Sequence, residues 1–162
     1  MTLYLLDANV LIRAHEDYYP LDRIPRFWTW LLQTAARGVV KTPLQIYDEV
    51  AHSSDMLGDW LRRSDVRDAL VLTEPIDPGR VRHVIDHGYA PDLNDIELEN
   101  IGRDPFLIAA ALAGGDRVVV TREVSRPRSL RANRKIPDVC SGFGVTVIND
   151  FGLYRELRFR ID

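Results

Sequence analysis

The sequence predicts an α/β fold built on a central parallel sheet. Short aliphatic runs alternate with helical segments along the whole chain. One stretch, residues 104–121, spells out a helix start, a helix stop and a buried strand in succession. There is no internal repeat, no low-complexity tract and no linker, so the 162 residues are expected to form one domain, 1–162.

Each element has its own warrant. Leu3 to Leu6 reads as a short buried strand, with a helix from Ala8 to His15 just beyond it. "YYPLDRIP" (18–25) is a loop with two prolines, and "RFWTWLLQTAARG" is an amphipathic helix stopped by Gly38. "VVKT" is a second strand, Pro43 opens the helix "LQIYDEVAHSS", and "DMLGDWLRRS" continues as a further helix. "ALVLT" (69–73) reads as a short strand and "PGRVRHVIDHGY" (78–89) as a helix. "APDLNDIELENIGR" is acidic and fits a loop or short helix. In "DPFLIAAALAGG", Asp104 is the expected N-cap, Pro105 takes the first helical position and Gly114-Gly115 is the stop. "DRVVVT" (116–121) is a β-branched strand, Arg122 to Lys135 an Arg-rich loop, "VTVI" (145–148) the last strand and "DFGLYRELRF" the closing helix.

Composition narrows the function. A net charge of −3 gives no global basic field, although a local basic patch beside an acidic site remains open. Lys41 and Lys135 are the only lysines among 21 basic residues. The arginine excess suits bidentate phosphate contacts and equally suits a GC-rich genome. Cys140 is alone, which excludes a disulfide framework and a cysteine zinc site. No basic leader opens the chain, and no apolar stretch approaches the roughly 18 residues of a membrane helix. A cytoplasmic, membrane-free protein is the expectation.

Four acids stand where a parallel sheet binds ligands. Asp7 follows "YLL", Glu123 follows "VVVT", Asp104 precedes the helix before that strand, and Glu49 lies about two turns into the helix after "VVKT". If strands 3–6 and 117–121 are neighbours, Asp7 and Glu123 meet at the carboxyl rim, where strand order reverses. Four carboxylates in one pocket raise each other's pKa unless a counter-charge arrives, and all-oxygen ligation selects Mg²⁺ or Mn²⁺ over zinc. Each acid also has a plainer role: Asp7 and Asp104 as helix caps, Glu49 and Glu123 as solvated residues. Asp48 competes with Glu49, because neighbours on a helix point about 100° apart.

"LLDANVLI", "YDEV", "GRDPFLIAAAL" and "VVVTRE" together resemble the PIN-domain nucleases. "YYPLDRIPRFWTWL", "WLRRSD", "VVTREVS" and "KIPDVC" look like a PIN-like subgroup catalogued as a domain of unknown function. The resemblance runs over nearly the whole chain. It implies a three-layer α/β/α fold and Mg²⁺- or Mn²⁺-dependent cleavage of RNA by metal-activated water, leaving 5′-phosphate and 3′-hydroxyl ends. Carried over by position, Asp7, Glu49, Asp104 and Glu123 become catalytic metal ligands, Glu123 standing where many relatives have Asp. Asn9 and Thr121 fall at supporting polar positions. The resemblance also implies the toxin of a bacterial toxin–antitoxin pair, held by an antitoxin protein, and a possible homodimer.

Other features carry two readings each. Arg122, Arg126, Arg128, Arg131, Arg134 and Lys135 follow the site strand and either grip RNA phosphates or line a solvated loop. Asp138 is a helix cap or an outer acid near the site. His83 and His87 lie four apart without a third ligand and read as a solvent-facing pair. Two other functions stay open. A catalytically idle PIN-like binding module would keep the fold alone. An aspartate-nucleophile phosphatase would use Asp7, but that chemistry wants a second Asp where Asn9 stands.

Overall fold

The computed structural model describes residues 1–162. Strands β1 (Leu3–Leu6), β2 (Val40–Pro43), β3 (Val71–Leu72), β4 (Arg117–Val120) and β5 (Thr146–Ile148) form one sheet in the order β3-β2-β1-β4-β5, every pairing parallel. The chain steps from β1 outward to β2 and β3, then crosses back to β4 on the other side of β1. Strand order therefore reverses between β1 and β4. Their register sets Leu6 opposite Val120, so Asp7 and Thr121 leave the sheet side by side. The Asp7 N–H extends the ladder by one bond, donating to the Val120 carbonyl at 2.9 Å.

Ten helices surround the sheet. They are α1 (Ala8–Arg13), α2 (Pro25–Ala36), α3 (Leu44–Ala51), α4 (Met56–Leu61), α5 (Ser64–Leu70), α6 (Pro78–Val84), α7 (Asp95–Ile101), α8 (Asp104–Leu112), α9 (Ile136–Gly142) and α10 (Asp150–Glu156). Wide π turns extend α1 over Ala14–Tyr18 and α6 over Ile85–Tyr89. Crossovers between parallel strands are right-handed, so opposite directions of travel place helices on opposite faces. In accord with this, α2 packs on α5, while α8 packs on α6 and α9. The result is three layers, α/β/α. Strands covered on both faces need apolar residues at successive positions, and Leu5, Leu6, Val40, Val119 and Val120 are all fully buried.

The core is one cluster of 37 buried apolar side chains. The aromatic face of α2 belongs to it: Phe27 stacks on Tyr19 at 4.6 Å, and Trp30 meets Phe159 at 4.7 Å between ring centroids. No helix is long and apolar enough to cross a membrane.

Several boundaries differ from expectation, each for a local reason. The helix expected over "DMLGDWLRRS" ends at Leu61, and α5 begins at Ser64 and runs to Leu70, leaving β3 only two residues. A capping box between Asn94 and Glu97 starts α7 inside the acidic stretch. Helix α9 begins earlier than a cap at Asp138 would set it: Pro137 sits in its first turn, as proline does at a helix start, and Lys135 precedes it. Asp138 is accordingly not the cap. It lies inside that turn and accepts from the Ser125 hydroxyl and, at 2.8 Å, from the Arg126 N–H.

Candidate functional site

Asp7 anchors the site. Its carboxylate is 5% exposed and divides its two oxygens. Oδ1 accepts from the Ala8 N–H at 2.8 Å, the capping role read from sequence. Oδ2 accepts from the Thr121 hydroxyl at 2.8 Å and from Asn9 Nδ2 at 3.1 Å. Asn9 Oδ1 in turn accepts from the Arg122 N–H at 3.0 Å, and Thr121 Oγ1 accepts from the Glu123 N–H at 3.1 Å. Asn9 and Thr121 thus stitch the end of β1 to the exit of β4, orienting Asp7 and the backbone of Glu123 together. Burial pushes the Asp7 carboxyl up from its ordinary value, against the bonds from Thr121, Ala8 and Asn9 that favour its charge.

Asp104 enters from the other layer. It is the first residue of α8 rather than its N-cap: Arg103 takes the cap position and no side chain caps the helix. The carboxyl is not spent on its own helix. Instead it faces the other acids and is pushed up to about 8 by burial, then by Asp7, Glu123 and Glu49, with Lys135 opposing. Glu123 is raised by burial and by Asp7, with Lys135 again opposing. Glu49 is raised by burial and by Asp7, with Arg103 opposing. Because Glu49 acts on Asp104 and Asp7 acts on Glu49, Glu49 rather than Asp48 is the α3 acid turned to the rim.

All four predicted acids therefore occupy one neighbourhood, at the point where strand order reverses. They do not close into a ready-made cage: no group of three or more His, Cys, Asp or Glu side chains stands near enough to hold a metal ion. The donor set is all carboxylate and fits a hard divalent cation, with side-chain movement needed to gather it. A groove of about 500 Å³ lies elsewhere, against β3, Ile76 and Phe106, and none of the four acids lines it.

Two cations stand near the acids, and the sequence reading paired neither with them. Lys135 Nζ lies 3.9 Å from Glu123 Oε1, although loop and helix start separate them in the chain. Arg103 donates to the Gln45 carbonyl at 2.8 Å, tying the start of α8 to that of α3 and so Asp104 to Glu49's helix. Its place beside Asp104 in "GRDPF" was the available signal; Lys135 was read only with the Arg-rich loop, as a phosphate contact. The Tyr89 hydroxyl is also close enough to feel Asp104 and Glu123. The buried Cys140 thiol is pushed up to about 12 by burial, then by Glu123, Asp104 and Asp7, so it is inert.

The five arginines of the loop have different surroundings. Arg122 turns away from the rim to pair with Asp150 at 2.8 Å, lying against the Tyr18 and Phe151 rings. Arg131 clasps Asp92 and Glu97, at 2.8 and 2.9 Å. Arg134 binds the carbonyls of Gly88 and Asp138. Acids and orphan carbonyls brought together by folding have claimed these three. Arg126 and Arg128 are exposed, and neither forms an ion pair. His83 and His87 face solvent with their rings 4.4 Å apart.

An acid-lined switch point on a three-layer parallel α/β sheet is thus the class that fold and site define. The family described as "Domain of unknown function (DUF4411)" matches residues 4–161, and the chain belongs to it. No curated protein matches the chain.

Proposed function

We propose that this protein is a divalent-metal-dependent ribonuclease, with Asp7, Glu49, Asp104 and Glu123 as its metal ligands. The observation that supports this reading is Asp104, an acid held near pH 8 chiefly by burial and by three other carboxylates. A site that disfavours its own ionisation at neutral pH is built for a cation. Bound there, Mg²⁺ or Mn²⁺ would supply the missing charge and a Lewis acid able to make water nucleophilic at neutral pH.

The chain's own groups do the rest. Asp7 and Asp104 would hold the principal position. Glu49 and Glu123 complete a second, weaker one. Asn9 and Thr121 keep Asp7 from rotating, and the lack of a Ser-His or Cys-His pair leaves water as the nucleophile. Arg126 and Arg128 are the exposed cations of the loop beside β4 that are free for an RNA backbone. The PIN-domain likeness extends the proposal to a toxin governed by an antitoxin protein, with a second copy of the chain as a further partner.

Asp7→Asn and Asp104→Asn test this together. Each is expected to lower Mg²⁺- or Mn²⁺-dependent cleavage of total RNA by about a hundredfold or more, since even outer-shell partners of metal ligands cost 10–100-fold. Cleavage unchanged in both variants would end the proposal. One observation favours a second reading, the catalytically idle binding module: the acids are not gathered into a cage. Calorimetric titration with Mn²⁺ separates the two, because an idle module gives no saturable heat.

A further inference from the structure

Tyr89 carries a hydroxyl that the fold leaves unused. The residue closes the π turn after α6, is 7% exposed, and its buried oxygen has no hydrogen-bond partner in the protein. Buried polar groups nearly always find partners, so one left over beside a candidate site points to a ligand. Its position is well determined. Arg134 binds the Gly88 carbonyl with one nitrogen and the Asp138 carbonyl with another, fastening the π turn to the first turn of α9. That fastening holds the π turn carrying Tyr89 against the start of α9, which follows Lys135.

Lys135 is itself only partly engaged. Its ammonium has three donors and one long contact, 3.9 Å, to Glu123 Oε1. The other lysine, Lys41, donates to the Ala69 carbonyl and lies elsewhere on the sheet. A neutral donor and a cationic donor thus flank Asp104 and Glu123 on the β4 side. An anionic substrate approaching four carboxylates meets repulsion, and these two groups supply attraction at the place where it is needed.

We propose that the Tyr89 hydroxyl and the Lys135 ammonium form a seat for a non-bridging phosphate oxygen of single-stranded RNA beside Asp104 and Glu123. This rests on the ribonuclease reading and names its substrate-positioning residues. Tyr89 sets the oxygen by a hydrogen bond, and Lys135 offsets the charge of the incoming strand.

The test uses the full chain and a short single-stranded RNA, with Ca²⁺ replacing Mg²⁺ to suppress turnover. Tyr89→Phe is expected to weaken RNA binding about 10–100-fold, the worth of one hydrogen bond to a charged group. Its thermal midpoint should stay at or above wild type, because the hydroxyl has no partner in the folded protein. Lys135→Gln should weaken binding by about as much and lower the slope of log affinity against log salt by about one, with Lys135→Arg restoring both. Wild-type affinity and wild-type cleavage in both variants would overturn the seat. So would a Tyr89→Phe that loses stability but keeps its RNA affinity. If the wild type cleaves and the variants match it, the seat falls and the nuclease stands. If binding responds as expected but Mg²⁺ supports no cleavage, the seat stands and the nuclease falls.

Discussion

Asp104 and Asp150 hold the same local address and live in opposite environments. Each is the first residue of a helix, α8 and α10, on the carboxyl side of the sheet. Asp150 is fully buried, accepts from the Phe151 N–H at 2.9 Å, and faces the Arg122 guanidinium. Asp104 is less buried and faces Asp7, Glu123 and Glu49. Burial alone therefore does not mark a functional acid. The mark is an acid whose nearest charges have the same sign, with nothing in the fold to neutralise them.

The Asp150 corner gives the largest expected effect. Removing the cation by Arg122→Met strands a fully buried carboxylate and is expected to cost about 3–5 kcal/mol in denaturant unfolding. The double variant Arg122→Met with Asp150→Leu should recover most of that loss, because no charge is then left unpaired. A single-variant cost below about 1 kcal/mol, the worth of a surface pair, would show that the contrast between the corners is not one of compensation.

Asp104 should respond in the opposite direction. Its folded pKa of about 8 lies above the ordinary carboxylate value of 3.8. Between those two values the folded, metal-free protein keeps a proton that the unfolded chain releases. Its stability therefore falls as pH rises from about 4 to about 8, and this loss is absent below pH 4. Asp104→Asn is expected to flatten that profile and to raise stability at pH 8 by on the order of 2–3 kcal/mol. Mn²⁺ at a hundred times its Kd should return about 2.7 kcal/mol to the wild type and little to the variant. A destabilised Asp104→Asn at pH 8 would mean that Asp104 is held by attraction after all, as Asp150 is.

What the sequence made legible follows from the range of each interaction. Alternating strands and helices, the proline at the second position of α8 and the aliphatic run of β4 are local signals, and they place Asp7, Asp104 and Glu123 at the rim. Neighbouring of β1 and β4 was a conditional expectation, which the pairing of Leu6 with Val120 fulfils. The pairings that decide which charges remain free are long-range: Arg122 with Asp150, Arg131 with Asp92 and Glu97, Lys135 with Glu123. No spacing rule announces them. Five arginines spread over residues 122–134 therefore read equally as an RNA-binding loop or a solvated one, and folding gives three of them protein partners. The orphan hydroxyl of Tyr89 was hidden for the same reason, since a tyrosine in "DHGYA" looks like any core residue.

The finest version of the comparison sits within one helix. Asp48 and Glu49 are adjacent on α3 and differ in which way they face. Only Glu49 exchanges repulsion with Asp7 and Asp104, and Arg103 tempers it. Glu49→Gln should lower the Asp104 titration midpoint in the metal-free protein, followed by carboxyl NMR, and weaken Mn²⁺ binding by about tenfold, the scale seen when a metal site loses one supporting group. Asp48→Asn should leave both unchanged, since Asp48 is not among the charges that act on Asp104. Equal shifts from the two variants would mean that α3 contributes a diffuse negative field rather than a directed ligand. The second cation position would then rest on Glu123 alone.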